Sequence, residues 1–304
     1  MSERNVLLTG ATGFVGGHVV RALRASGATL WAVARDVEAA RRKLPEVRIV
    51  AAPADIPEDA RVDAIVNLAG APVIGPPWTR ARRQSLIDSR VKTTAALLEW
   101  CATRSQRPSV IVSASAIGFY GPGAEAWFDE SSPPREVFQS RLCVEREAAA
   151  NAAQALGLRV VNLRIGLVLG ADGGILKPLA LAASLGGAAR IGNGRQWMSW
   201  IHIDDLVRVI ELALEDASLQ GAINAVSPNP ERQRDFQRAL TLVLRRPFWM
   251  WVPAALLRVL LGEMAELLVT GQRVAPRRLL ERRFVFRFAL LENALADLFK
   301  KRRT

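Results

Sequence analysis

Tyrosine is almost missing from this chain: its 304 residues include one, Tyr120, against eight tryptophans and ten phenylalanines. Ala124 stands four positions after it, so no Tyr-x-x-x-Lys pair exists, the device in which an ammonium lowers a phenol's pKa and lets it shuttle protons. Cysteine is scarce too. Cys101 and Cys143 are the only two, which argues against a disulfide framework and fits a reducing compartment. His18 and His202 are too few, and too far from a cysteine, for a typical zinc site, so no metal is expected. Long hydrophobic runs are also lacking. The most apolar late stretch, 247–262, is interrupted by Pro253 and Arg258 and falls short of the roughly 20 apolar residues a spanning helix needs. A strand begins within a few residues of Met1, leaving no room for a signal peptide. These absences lead us to expect a cytoplasmic protein without membrane association.

What is present is a large apolar reserve. Half of the residues are hydrophobic, enough for one sizeable α/β domain with or without an appendage. The net charge is +12, from 41 basic and 29 acidic residues, and much of it lies late: Arg273, Arg277, Arg278, Arg282, Arg283, Lys300, Lys301, Arg302 and Arg303. Such a run suits an anionic partner, but no nucleic-acid-binding motif accompanies it. The favoured reading is a solvated tail in an Arg-rich chain, with no nucleic acid among the partners.

Short apolar runs alternate with amphipathic stretches. Strands are expected at 5–9, 29–34, 47–51, 64–68, 109–113 and 159–164, and a further one at 221–226. Helices are expected at 17–26, 80–104, 142–156 and 204–215, the last capped by Asp204. This alternation predicts an α/β fold, a doubly wound parallel sheet, with ligands beyond the carboxyl ends of its strands. The rhythm breaks after Gly170. Residues 170–200 are Gly-rich and contribute to the substrate side of a dinucleotide-binding domain spanning 1–226. Residues 227–304 read as a smaller, mainly helical C-terminal subdomain.

Gly10, Gly13 and Gly16 lie between the first strand and first helix, where a backbone without Cβ atoms lets a pyrophosphate approach the helix N-terminus. Thr12, Phe14 and Val15 complete that loop. Arg35 ends the second strand about 20 residues later, where an acidic residue would bind the ribose 2′-OH of NAD; a guanidinium there suits a 2′-phosphate. NADP is therefore favoured, and Asp36 keeps NAD as the alternative. Leu68, Ala69 and Gly70 let the chain pass beside a bound ribose. Asp55 is placed to accept from the adenine amino group, or is a plain loop carboxylate.

The segments TGATGFVG (9–16), NLAG (67–70), VIVSASAIGFYG (110–121), LRIGLVLG (163–170) and WIHIDDL (200–206) together resemble the extended short-chain dehydrogenase/reductase superfamily. Further segments resemble the bacterial YfcH-like epimerase family proteins within it: 77–91, 141–150, 171–176, 192–205 and 271–279. The resemblance covers nearly the whole chain. It implies that Ser115, with Ser113 as the alternative, hydrogen-bonds the substrate oxygen. Arg141 takes the lysine position and anchors the nicotinamide ribose, and Val137 takes the tyrosine position. Tyr120 becomes either a surrogate proton donor or an aromatic wall of the pocket. Met198 stands where nucleotide-sugar members carry a diphosphate-binding arginine, so a nucleotide sugar is not the expected substrate. Arg195, Arg273 and Arg277 are alternative anion ligands or surface charges, and His202 is read as structural. The pocket lining is expected from Trp78, Trp197, Met198 and Trp200. Pairing of the long helices in a homodimer is an expectation by analogy.

The resulting expectation is an NADP(H)-binding, oxidoreductase or epimerase-like enzyme acting on an unidentified small carbonyl compound. A non-catalytic NADP(H)-binding sensor or interaction protein is the alternative.

Overall fold

The computed structural model describes residues 4–184 and 188–300. Its centre is a seven-stranded sheet. In chain order its strands are β1 (Asn5–Thr9), β2 (Thr29–Val33), β3 (Arg48–Val50), β4 (Ala64–Asn67), β5 (Val110–Ala116), β6 (Arg159–Ile165) and β7 (Gly221–Ala225). They pair in the order β7-β6-β5-β4-β1-β2-β3, all parallel. The order reverses between β1 and β4, which opens a crevice at their carboxyl ends.

The helices used below are α1 (Phe14–Ala25), α2 (Val37–Lys43), α3 (Arg80–Thr103), α4 (Phe138–Asn151), α5 (Leu176–Ser184), α6 (Ile203–Glu215) and α7 (Gln233–Leu244). Alternation along each strand sends side chains to opposite faces. Val6, Leu8, Val66, Val112 and Leu163 form one core with Val19 and Leu23 of α1 and Val209 and Ile210 of α6. Leu7, Ile65, Ile111 and Val160 form the other, with Leu97 and Trp100 of α3 and Ala150 of α4.

On the α3/α4 face the sheet turns polar toward its carboxyl ends. Thr9, Asn67, Ser113 and Asn162 are register neighbours on four adjacent strands. Two residues further along, Ser115, Arg164 and Asn224 form a second row. All seven are buried.

The C-terminal part wraps back onto the sheet. Leu279 joins the β1/α1/α6 core, with Phe284 and Phe286 against it. Helix Leu291–Lys300 packs through Leu291, Leu295 and Leu298 on Leu176, Trp200 and Phe236. Short strand pairs tie distant segments together, among them Ala189–Ile191 with Met250–Val252 and Trp127–Phe128 with Arg273–Val274.

Several boundaries differ from expectation. Residues 170–200 contain α5, whose Leu- and Ala-rich sequence packs Leu176, Ala180 and Ala183 inward. Helix α4 starts at Phe138, and 152–156 continue it as a 3₁₀ turn. Asp204 is not the cap of α6: His202 is, its Nδ1 accepting from the Asp204 amide at 3.1 Å. Three of the late basic residues are tied into the fold rather than part of a solvated tail. Arg277 pairs with Asp129 and Glu281, Arg278 donates to the carbonyls of Gln220 and Ala222, and Arg282 pairs with Asp216. Lys301, Arg302 and Arg303 lie outside the described residues.

Candidate cofactor and active site

The glycine loop is held by close backbone contacts. Gly10 has φ +72°, and a Cβ on it would lie 2.9 Å from the Leu68 carbonyl carbon and 3.0 Å from the Ala69 nitrogen. A Cβ on Gly16 would lie 2.1 Å from the Gly10 oxygen. The Thr9 hydroxyl donates to Asn67 Oδ1 at 2.7 Å and accepts from the Ala69 amide at 3.1 Å, locking the turn after β4 against the loop. Gly13 is the N-cap of α1; no side chain caps that helix and no acidic residue lies in its first turn. Its positive end therefore faces the crevice uncompensated, as an anion site requires. The Phe14 ring turns away and fills a hollow over Gly170, Gly173 and Gly174, where any Cβ would collide with it. His18 Nε2 meets Asp172 at 3.0 Å, pinning α1 to the same segment.

Just beyond β2, Arg35 is exposed and has no hydrogen-bond or ion-pair partner among the described residues. Asp36 is engaged as the N-cap of α2, accepting from the Ala39 amide at 2.9 Å. Lys43, at the end of α2, reaches back to the Thr12 carbonyl at 2.5 Å. Asp55 accepts from the Ala52 amide at 2.8 Å.

Of the residues carried over as catalytic, Ser115 and Tyr120 join one buried network and Arg141 lies apart. Ser115 is buried and donates to Glu147 Oε1 at 2.7 Å. Glu147 is held by Arg164 through two bonds, at 2.9 and 3.0 Å. Tyr120 is fully buried and stacked on Phe128; it donates to Asn224 Oδ1 at 2.7 Å and accepts from Arg164 at 3.0 Å. Burial pushes its pKa up to about 12, the reverse of what a proton shuttle needs. Tyr120 is neither a surface donor nor a pocket wall. Arg141 lies on the outer side of α4, its side chain 70% exposed and paired with Glu145. There, with Val137, it lines a cleft of about 1080 Å³ shared with Trp78, Arg80, Arg83 and Arg135.

The face of α4 that meets the end of β5 carries instead Gln139, Cys143 and Glu147, spaced four apart and all buried. Gln139 and Cys143 adjoin Gly118, and Glu147 adjoins Ser115. This helical face, not the one bearing Val137 and Arg141, is where a tyrosine–lysine pair facing the strand would stand. Burial raises the Cys143 thiol, and the Gln139 amide does not titrate. The sequence signal for this register was the acid–base match of Glu147 with Arg164, a charge buried on a strand that must find a partner.

Two further buried charges escaped sequence reading. Arg146 of α4 donates to the Asn67 carbonyl at 3.1 Å, and Arg90 of α3 donates to the carbonyls of Leu86 and Ala71 at 2.8 and 3.0 Å.

The motif WIHIDD serves as a clamp. Asp205 accepts from the amides of Arg287 and Phe288, both at 2.9 Å, and the His202 ring stacks on Phe288 at 3.9 Å. His202, Asp204 and Asp297 are grouped closely enough to hold a cation, yet His202 Nδ1 is taken by the Asp204 amide. Trp78, largely buried, still lines the cleft beside Arg141; Trp200 is a core residue, and Trp197 lies against the guanidiniums of Arg232 and Arg273, at 3.7 and 4.1 Å. No described helix is long and apolar enough to cross a membrane.

Residues 6–225 match the model of the NAD dependent epimerase/dehydratase family. The chain belongs to this family. Residues 252–298 match a domain of unknown function, DUF1731. The chain is 36% identical to an epimerase family protein SDR39U1 homolog, chloroplastic, of Arabidopsis thaliana, over 98% of this chain and 88% of that one. It is 33% identical to the epimerase family protein YfhF of Bacillus subtilis, over 99% of both. Among solved structures it resembles the human epimerase family protein SDR39U1 (isoform 2) with NADPH, with a TM-score of 0.86 and 29% identity over 97% of this chain and 99% of that one.

Proposed function

We propose that this chain binds NADP(H) in the crevice between β1 and β4 and acts as an epimerase-like oxidoreductase on a small carbonyl compound. The carrying observation is Arg35: exposed, without a partner among the described residues and just beyond β2, while the neighbouring Asp36 caps α2 through Oδ1. A free guanidinium there meets a 2′-phosphate through charge-assisted bonds, while Asp36 has one oxygen turned to the α2 cap. The NADPH in the human relative's structure supports the same choice.

Bound NADPH supplies a hydride to the carbonyl carbon. The Gly10, Gly13 and Gly16 loop and the α1 N-terminus hold the pyrophosphate; the turn Leu68–Gly70 borders the ribose. Ser115 and Tyr120 act through the Glu147–Arg164 network, fixing β5 and β6 relative to α4. With Tyr120 sealed and Cys143 raised by burial, the proton for the product alkoxide comes from water. The same sealing favours a second reading, in which the protein binds NADP(H) without turnover.

Screening the NADPH-loaded protein against short aldehydes and ketones, by loss of absorbance of the reduced cofactor, separates the two. Turnover that survives Tyr120→Phe is the expected result. Tight NADPH binding with no turnover of any carbonyl would establish the second reading.

A further inference from the structure

Arg90 and Arg146 are buried, 9% and 7% exposed, at the carboxyl end of β4. Arg90 acts electrostatically on Arg146, so two like charges share one neighbourhood. Neither has a carboxylate within ion-pair distance among the described residues; the nearby Glu147 is spent on Arg164. The Cys143 thiol adjoins both, but burial holds it in the neutral form. Burial, and then Arg90, depress the Arg146 guanidinium to about 9.

A guanidinium carries five N–H donors. Arg146 places one bond, to the Asn67 carbonyl, and its buried Nε has no partner. Buried charge without a counter-charge is strongly unfavourable, so structures rarely retain it without a use. Arg90 stands directly under the exposed Gly70. A Cβ there would lie 3.0 Å from its Cζ, so only glycine leaves that guanidinium face uncovered at the strand end. The same turn, Leu68–Ala69, touches Gly10 of the glycine loop.

We propose that Arg90 and Arg146 form an anion-binding site at the carboxyl end of β4, holding a carboxylate or phosphate group of a bound ligand. This goes beyond the function proposed above and rests on it only in where the ligand enters. The anion has two possible sources: the pyrophosphate of the dinucleotide, or an acidic group on the substrate.

The test uses the full chain, with Arg146→Met and Arg90→Met made separately so that each charge is removed from a different helix. Thermal unfolding is followed with NADPH, with malonate, with inorganic phosphate, and with either anion added to NADPH-saturated protein. Further stabilisation of the saturated protein by malonate or phosphate, lost in both variants, assigns the site to an acidic substrate. A tenfold or greater loss of NADPH affinity in both variants, with no added effect of the anions, assigns it to the pyrophosphate. Variants that fold and match the wild type toward NADPH and both anions overturn the site. Should either variant fail to fold, Arg146→Lys and Arg90→Lys replace them, keeping charge but losing the fork, with the same readings. Wild-type protein that binds neither anion nor NADPH overturns both proposals. Arg-dependent anion binding without NADPH binding leaves the site standing and removes the cofactor assignment.

Discussion

Each key side chain is defined by the partners that already engage it. Tyr120 has its hydroxyl saturated by Asn224 and Arg164, so it is a core residue. Tyr120→Phe should therefore cost about 1–3 kcal/mol of stability, from the unmet partners, in urea unfolding. It should leave NADPH affinity unchanged; a large affinity loss would place the phenol at the cofactor after all. Gly16→Ala is expected to do the opposite. Its Cβ cannot share space with the Gly10 carbonyl, so the loop must open and NADPH affinity fall at least tenfold, as read by fluorescence titration. Asp129 carries the clearest pH signature. The Ser131 hydrogen bond, and then Arg277, lower its pKa to about 2 from 3.8. A depressed carboxylate contributes stability that is present above its unfolded pKa and lost as pH falls through the folded one. Asp129→Asn should flatten the loss of stability between about pH 4 and 2, measured by urea midpoints across that range.

At the scale of elements, the sheet was largely legible because parallel strands buried on both faces read as short apolar runs. Asn5–Thr9, Thr29–Val33 and Arg159–Ile165 lie within a residue of expectation at each end. Helix α5 was not legible, since its Leu/Ala sequence sits among glycines that break the periodic signal. The register of α4 was misjudged for a different reason. Linear matching placed the lysine slot at Arg141, but which face of a helix meets a strand is set by buried partners, here Glu147 with Arg164. The buried Arg90 and Arg146 escaped because arginine on a helix ordinarily signals a solvated face. The clamp at the start of α6 is testable as an element. Asp205→Ala removes the acceptor for the Arg287 and Phe288 amides, and hydrogen exchange at 284–298 should rise well above wild type. Unchanged protection there would show that the apolar packing of Leu291 and Leu295 suffices.

On the scale of the whole molecule, the sequence resemblance to epimerase family proteins and the family match agree, and the cofactor crevice follows from the strand order. The proposed cofactor site joins the glycine loop, the turn after β4 and Arg35, whereas the transferred catalytic residues divide between a buried network and an outer helix face. Cofactor selection is thus the claim on which the rest depends. Its most direct test is a fluorescence titration of cofactor-free protein with NADPH and NADH, for the wild type and Arg35→Ala. The expected result is NADPH bound at least tenfold more tightly than NADH, with the preference lost in the variant because a charge-assisted contact to the 2′-phosphate is gone. Equal affinity for the two cofactors, or a preference that survives Arg35→Ala, would contradict the assignment.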